Sequence, residues 1–404
     1  MFQRLLRNGF GIYLRLSFFY GSYFLLAGLM LPYWPVWLQA RGLSAEHIGI
    51  VLAIGYWIKI VVQPLIARRA DSAGENRRIM SLLAVLVVAA MVGLTLGQGL
   101  WMIAILAVLL ATLQQGILPL GESAVLAATR KHQLDYGRLR LWGSVTFIIA
   151  AVIGGAWLES FGAGNLVWLF IAAAALMAVG CTVMVADRRP PAAITWPEIG
   201  SLLARPSFLC LLAAAGLSQS SHAVMLAYGV IYWQELGIPE GIIGQLYGAG
   251  VIAEIILFAL IGRFAGRISP AQLIALGACG GIIRWPLTAL LADPIWLLPL
   301  QSLHALTFAA THLGAMAYLS KNIPTRLSAS GQAVYAAIVG GVMIGAATFV
   351  SAAAYQRLGG DAYWIMGGFS FVGLLAAAGL AFTSARESRQ AGSDDAGSAA
   401  PGRY

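Results

Sequence analysis

The chain has 404 residues, 60% of them hydrophobic and only 10% charged, with a mean hydropathy of +0.81. Soluble domains carry about 25% charged residues, so a water-soluble enzyme or binding module is excluded. The net charge of +9 is scattered over short connections, which speaks against nucleic acid as a partner and for a topology signal.

Apolar runs long enough to cross hydrocarbon as helices predict twelve spans. They fall at 13–39, 46–67, 79–97, 101–129, 138–158, 164–186, 207–233, 241–262, 270–291, 295–319, 330–355 and 361–383. The first follows a basic segment with no small-residue cleavage site, and reads as a retained span. Pro32 and Pro35 are expected to break it near its outer end. The longest internal connection carries "DRRPP" and divides the chain near its midpoint. The expected organisation is a six-helix bundle over 1–186, a cytoplasmic linker over 187–206, a second six-helix bundle over 207–383 and a disordered cytoplasmic tail over 384–404.

Under this twelve-span scheme nearly all loop Lys and Arg residues fall on one side, and only Arg41 and Arg357 on the other. That bias predicts cytoplasmic termini, and the lack of large outer loops fits a bacterial inner membrane. An internal repeat supports the two halves. Shifting the first half by 195 residues lays "QARGLSAEHIG" on "QELGIPEGIIG", with Gly42 on Gly237 and Gly49 on Gly244. Tyr33 then meets Tyr228, and Lys59 meets Glu254.

Few groups inside the spans can carry charge. A charge at the bilayer centre costs roughly 2.5–3.5 kcal/mol, so Glu122, Glu254, Lys59, Arg284, His222, His304 and His312 are the candidate functional residues. Glu254 lies in "VIAEIILFAL", where desolvation and a nearby Arg284 would pull its protonation in opposite directions. It is the expected proton carrier, the alternative being a static ion pair with Arg284. Arg284 and Lys59 are candidate anchors for an anionic substrate, although Lys59 could snorkel to an interface. His304 and His312 are eight residues apart, just over two turns, and are expected on adjacent faces. Tyr20 and Tyr23 are deep enough in the first span to pack against a substrate ring. No Cys or His cluster has metal-ligand spacing, and no metal or cofactor is expected.

The stretches "LPYWPVWLQARGLSAEHIG", "PLGESAVLA", "DYGRLRLWGS", "YWQELGI", "CGGIIRWPL" and "LHALTFAATHLGAM" resemble the phenylpropionate permease branch of the major facilitator superfamily. The resemblance runs from about Tyr13 to Leu380. It implies an all-α membrane protein of two six-helix bundles and uptake of a small aromatic carboxylate with a proton. A sugar or nucleoside symporter is the runner-up, since "YGRLRLWGS" is shared with those transporters. The chain is also distantly similar to the lactose permease family. That likeness implies roles for Glu122 paired with Arg140, and for Glu254, Arg284 and His304; where that family has a second carboxylate after the histidine, this chain has Thr307. Together with the intramembrane residues read above, the expected proton-coupling set is Glu254, His304, His312 and Glu122, and the expected substrate set is Arg284, Lys59, Arg140, His222, Tyr20 and Tyr23. The implied partners are substrate, proton and membrane lipid, with the protein a monomer. An intramembrane enzyme or receptor is disfavoured, because no nucleophile motif or sensing domain is present.

Overall fold

Hydrocarbon offers no hydrogen bonds to the backbone, so a lipid-facing segment must satisfy its own amides as a helix. The computed structural model describes residues 2–73, 76–185, 196–261, 267–324 and 327–398, and every regular element among them is helical. In order these are α1 (Phe2–Ala40), α2 (Ala45–Ala73), α3 (Asn76–Leu96), α4 (Leu100–Gln114), α5 (Ile117–His132), α6 (Tyr136–Phe161) and α7 (Leu166–Val183). They continue with α8 (Trp196–Leu203), α9 (Pro206–Ser220), α10 (Ala223–Glu235), α11 (Glu240–Ile261) and α12 (Pro270–Leu290). The last are α13 (Pro294–Ser302), α14 (Thr311–Asn322), α15 (Ser328–Ala337), α16 (Ile344–Leu358) and α17 (Ala362–Ser398). Two π-helical segments, Ala305–Ala310 and Ile338–Met343, join α13 to α14 and α15 to α16.

Ten stretches among the described residues are long and apolar enough to cross a membrane. One of them, Ser330–Glu387, has 58 residues, far more than the ~20 one crossing needs, and it turns back at Gly359–Asp361. The helix from α13 to α14 supplies a further membrane-length segment, so the architecture is compatible with the expected twelve spans in two bundles.

Several local expectations are corrected. α1 runs unbroken through Pro32 and Pro35, with α6 and α7 packed along it; packed neighbours are what let a membrane helix tolerate proline. The fourth span divides at Gln115–Gly116 into α4 and α5, and the seventh at Ser221–His222 into α9 and α10. At the second break Ser221 Oγ donates to Ser218 O (2.7 Å), and His222 Nδ1 lies 3.1 Å from Gln219 O. Side chains there compete with the helix for its own carbonyls. Residues 384–398, expected to be disordered, continue α17 as helix. The expected linker lies partly outside the described residues, and its later part forms α8.

The repeat is present in the backbone. Gly42 (φ 90°) and Gly237 (φ 76°) both terminate helices in the left-handed region, which glycine enters without strain. The matching closing bonds are Leu43 N–H to Leu38 O (3.1 Å) and Ile238 N–H to Trp233 O (3.0 Å).

The halves meet where α2 lies along α16, α6 along α11 and α1 against α10. At the end carrying the loops 41–44, 162–165, 236–239 and 359–361, here the short-loop end, they are in close contact. The repeat-related tyrosines each lie at a glycine of the opposite half. Tyr228 OH donates across the halves to Ala45 O (2.7 Å) beside Gly49, while Tyr33 OH, beside Gly244, donates within its own half to Ala151 O (2.5 Å). Gly241 N–H also donates to Glu159 Oε2 across the halves (2.8 Å). A Cβ on Gly49 would lie 2.3 Å from Ala352 Cβ, and one on Gly244 2.5 Å from Ala151 O. Two small residues therefore let the helices touch at both crossings. The remaining side-chain hydrogen bond between halves among the described residues, Trp57 Nε1–H to Val342 O (3.4 Å), lies deeper. The molecule is closed at its short-loop end.

Gly49→Val and Gly244→Val should each hold this end apart by a few ångströms. Double electron–electron resonance between nitroxides at the exposed positions Gln98 and Leu236 should record a longer distance than in the parent. An unchanged distribution would show that the glycines do not govern closure.

Candidate functional site

Arg284 is the most deeply buried charge in the bundle, at 2% exposure on α12. Its Nη1 donates to Thr307 Oγ1 (2.9 Å) and approaches His304 Nδ1 (3.3 Å), while Nη2 donates to Gln301 Oε1 (2.7 Å). The guanidinium carbon lies 4.6 Å from the Trp285 ring centre, and Trp285 is itself tied to Ser221 Oγ (2.9 Å). Among the described residues no carboxylate lies within ion-pair distance of Arg284. The alternative of a static ion pair with Glu254 is therefore absent: neutral acceptors hold the guanidinium.

The network also assigns protons. A carbonyl only accepts, so His222 Nδ1 carries its hydrogen toward Gln219 O, leaving Nε2 to accept from the Thr307 hydroxyl (3.0 Å). Thr307, which stands where the lactose permease family has a carboxylate, thus relays between Arg284 and His222. His304 Nδ1 faces an arginine donor, so the hydrogen of the neutral ring sits on Nε2, which lies 3.5 Å from Glu254 Oε2. Arg284 and Glu254 communicate through one imidazole rather than by contact.

His304 and His312 are not on adjacent faces as the spacing predicts. Their rings stack in line with Phe308 between them, with centroid separations of 5.2 and 6.2 Å and interplanar angles of 4°. The cause is the π-helical stretch Ala305–Ala310. A π turn holds more residues than the α-helix's 3.6, and this brings residues eight apart back into register.

Glu122 on α5 forms a second cluster in the N-terminal half. Its carboxylate accepts from Tyr20 (2.5 Å) and Tyr136 (3.1 Å) and lies 4.0 Å from Arg140 Nε. The Arg140 guanidinium sits over Phe24 at 4.0 Å. Tyr20 is thus occupied by Glu122, and Tyr23 packs against Phe19 and Phe24. Lys59 stands apart from both clusters, 5.8 Å from the Tyr56 ring centre and against Gly340 in the second π segment.

Two cavities lie between the halves. The smaller, about 60 Å³, is lined by His222, Tyr247, Arg284, Gln301 and His304 among others. Arg284 Nε and Gln301 Nε2 are buried without an acceptor, and both residues line this cavity. The larger, about 260 Å³, is lined mainly by α1, α2 and α4, including Trp34, Tyr56, Gln114 and Gln115. Leu31 and Leu226 line both. Neither Tyr20, Tyr23 nor Lys59 lines either cavity. Gln301 escaped the sequence reading, although it lies one helical turn before His304 in an otherwise apolar run.

Two pseudo-symmetric helical bundles enclosing a small polar site define a membrane transporter that binds a small molecule. The MFS_1 like family model matches residues 13–366, and the chain belongs to that family. It is 29% identical over 351 residues to the probable 3-phenylpropionic acid transporter of Escherichia coli (strain K12), covering 86% of this chain and 92% of that one. It is 28% identical over 332 residues to the maltose permease of Geobacillus stearothermophilus, covering 80% and 83%. Among solved structures, the nucleoside transporter NupG, as a point mutant, superimposes with a TM-score of 0.81 at 14% identity, covering 91% of this chain and 99% of that one. These relatives are transporters, and the protein is an integral membrane transporter of the major facilitator type, not an enzyme.

Thr307→Val should strand Arg284 Nη1 and His222 Nε2 together. The penalty for an unsatisfied buried group is about 1–3 kcal/mol, so thermal unfolding in detergent should shift down by several degrees. Thr307→Ser should restore it. Equal melting of all three proteins would contradict the relay.

Proposed function

We propose that the protein takes up a small aromatic carboxylate with a proton, by alternating access between its two halves. The observation that carries this reading is Arg284: a buried guanidinium without a carboxylate partner among the described residues, its own Nε and the neighbouring Gln301 Nε2 both unpaired. A substrate carboxylate would accept from Arg284 and Gln301, and a guanidinium can hold it through two parallel bonds. Taking up that anion draws Arg284 away from His304 Nδ1. The imidazole is then free to change its hydrogen bonding to Glu254, so substrate binding and the protonation of Glu254 are coupled through one ring. In this scheme Glu254 carries the proton, His304 and His312 form its relay, and Glu122 with Arg140 sets the potential on the opposite wall.

The positive-inside distribution of Lys and Arg supports cytoplasmic termini in a bacterial inner membrane, with the monomer as the transporting unit. With that orientation the closed short-loop end faces outward. The likeness to a maltose permease and the fold shared with a nucleoside transporter keep a sugar or nucleoside as the second reading.

The test is substrate-driven acidification of proteoliposomes on addition of 3-phenylpropionate, with empty vesicles as the control for passive entry of a weak acid. Acidification beyond that control is expected for the parent and not for Glu254→Gln. Arg284→Gln should lower uptake roughly 30-fold or more, as truncating one partner of a buried charged pair costs about 2–5 kcal/mol. Identical traces in parent, Glu254→Gln and empty vesicles, with maltose or a nucleoside transported instead, would replace this reading by the second.

A further inference from the structure

The larger cavity carries chemistry that the anion site does not explain. It adjoins the Arg284 cavity at Leu31 and Leu226, which line both. Its volume of about 260 Å³ is just below the roughly 300–1,000 Å³ of pockets for drug-sized ligands. It therefore suits one ring with a short substituent. Trp34 and several aliphatic side chains provide apolar walls.

Its polar groups are underused. The Gln114 amide donates only to the Met30 thioether (3.2 Å), a weak acceptor, and its oxygen has no partner among the described residues. Gln115 Nε2 makes a long bond to Gly55 O (3.4 Å). The Tyr56 ring sits near Lys59 Nζ, and its hydroxyl has no hydrogen-bond partner among the described residues. An unsubstituted phenyl ring filling this space would leave the Tyr56 hydroxyl and the Gln114 amide unpaired. A ring hydroxyl would donate to Gln114 Oε1 and accept from Tyr56 O–H. Sites built to hydrogen-bond a substrate hydroxyl discriminate strongly against the analogue that lacks it.

We propose that this cavity is the ring subsite of the transporter and that its preferred ligand is a phenolic acid, the ring hydroxyl held by Gln114 and Tyr56 while the carboxylate reaches Arg284. The ring subsite stands on the cavity itself; the carboxylate half rests on the function proposed above.

Isothermal titration calorimetry of the full chain in lipid nanodiscs separates the two. The acid probes are 3-phenylpropionate and its 3- and 4-hydroxyphenyl analogues; the neutral probes are 4-ethylphenol and ethylbenzene. The parent should bind at least one hydroxylated acid tenfold or more tightly than 3-phenylpropionate. Gln114→Leu and Tyr56→Phe should each reduce that preference to about twofold while keeping 3-phenylpropionate affinity within about threefold, which also reports an intact fold. Arg284→Gln should weaken every acid yet leave 4-ethylphenol preferred over ethylbenzene. Acids unaffected by Arg284→Gln, with the phenol preference still lost in Gln114→Leu, would remove the carboxylate anchor and leave the ring subsite standing. A parent without preference for the hydroxyl, or a preference untouched by both cavity substitutions, would overturn the proposal.

Discussion

Hydrocarbon neither hydrates a charge nor supplies it with hydrogen bonds, so each ionisable group in this bundle must find its solution inside the protein. Arg284 is where that constraint bears hardest. It is held by a threonine hydroxyl, a glutamine oxygen and an imidazole nitrogen, neutral acceptors that stabilise a guanidinium without cancelling its charge. A direct carboxylate partner would have made a static ion pair. The arrangement found leaves a positive potential for an incoming anion, and the positions of His222, His304 and Glu254 follow from it.

The two halves share a frame but not a chemistry. The repeat aligns Gly42 with Gly237, Gly49 with Gly244 and Tyr33 with Tyr228; the glycines perform equivalent turn and packing roles at the short-loop end, whereas Tyr228 bonds across the halves and Tyr33 within its own. The charged positions diverge. Lys59 and Glu254 are repeat-related, yet Lys59 rests against Gly340 while Glu254 faces His304. In the N-terminal half, two tyrosine hydroxyls and Arg140 enclose Glu122. Symmetry supplies the contacts that close the short-loop end, and asymmetry supplies a polar site with direction.

Helix irregularity links the two. One π segment lies at the site and brings His304, Phe308 and His312 into a single stack; the other, away from both cavities, receives Lys59 through Gly340. A π turn lacks the regular i to i−4 ladder. It is a natural place for a helix to change twist, and with it the register of the side chains that bridge Arg284 to Glu254.

Sequence alone determined what depends on composition and short-range pattern. Membrane class, helical spans, the two-half repeat, the glycine turns and the short set of ionisable residues follow from hydropathy and spacing, because lipid penalises every alternative. The substitution of Thr307 for a carboxylate was also legible as a departure. Only the tertiary structure decided the rest. The stacking of His304 with His312 depends on a π turn that mean α-helical periodicity does not encode. The interposition of His304 between Arg284 and Glu254, the occupation of Tyr20 by Glu122 and the cavity lined by Gln114 and Tyr56 arise from residues on different helices. Their distances are set by how the helices pack, and a linear pattern carries no record of those distances.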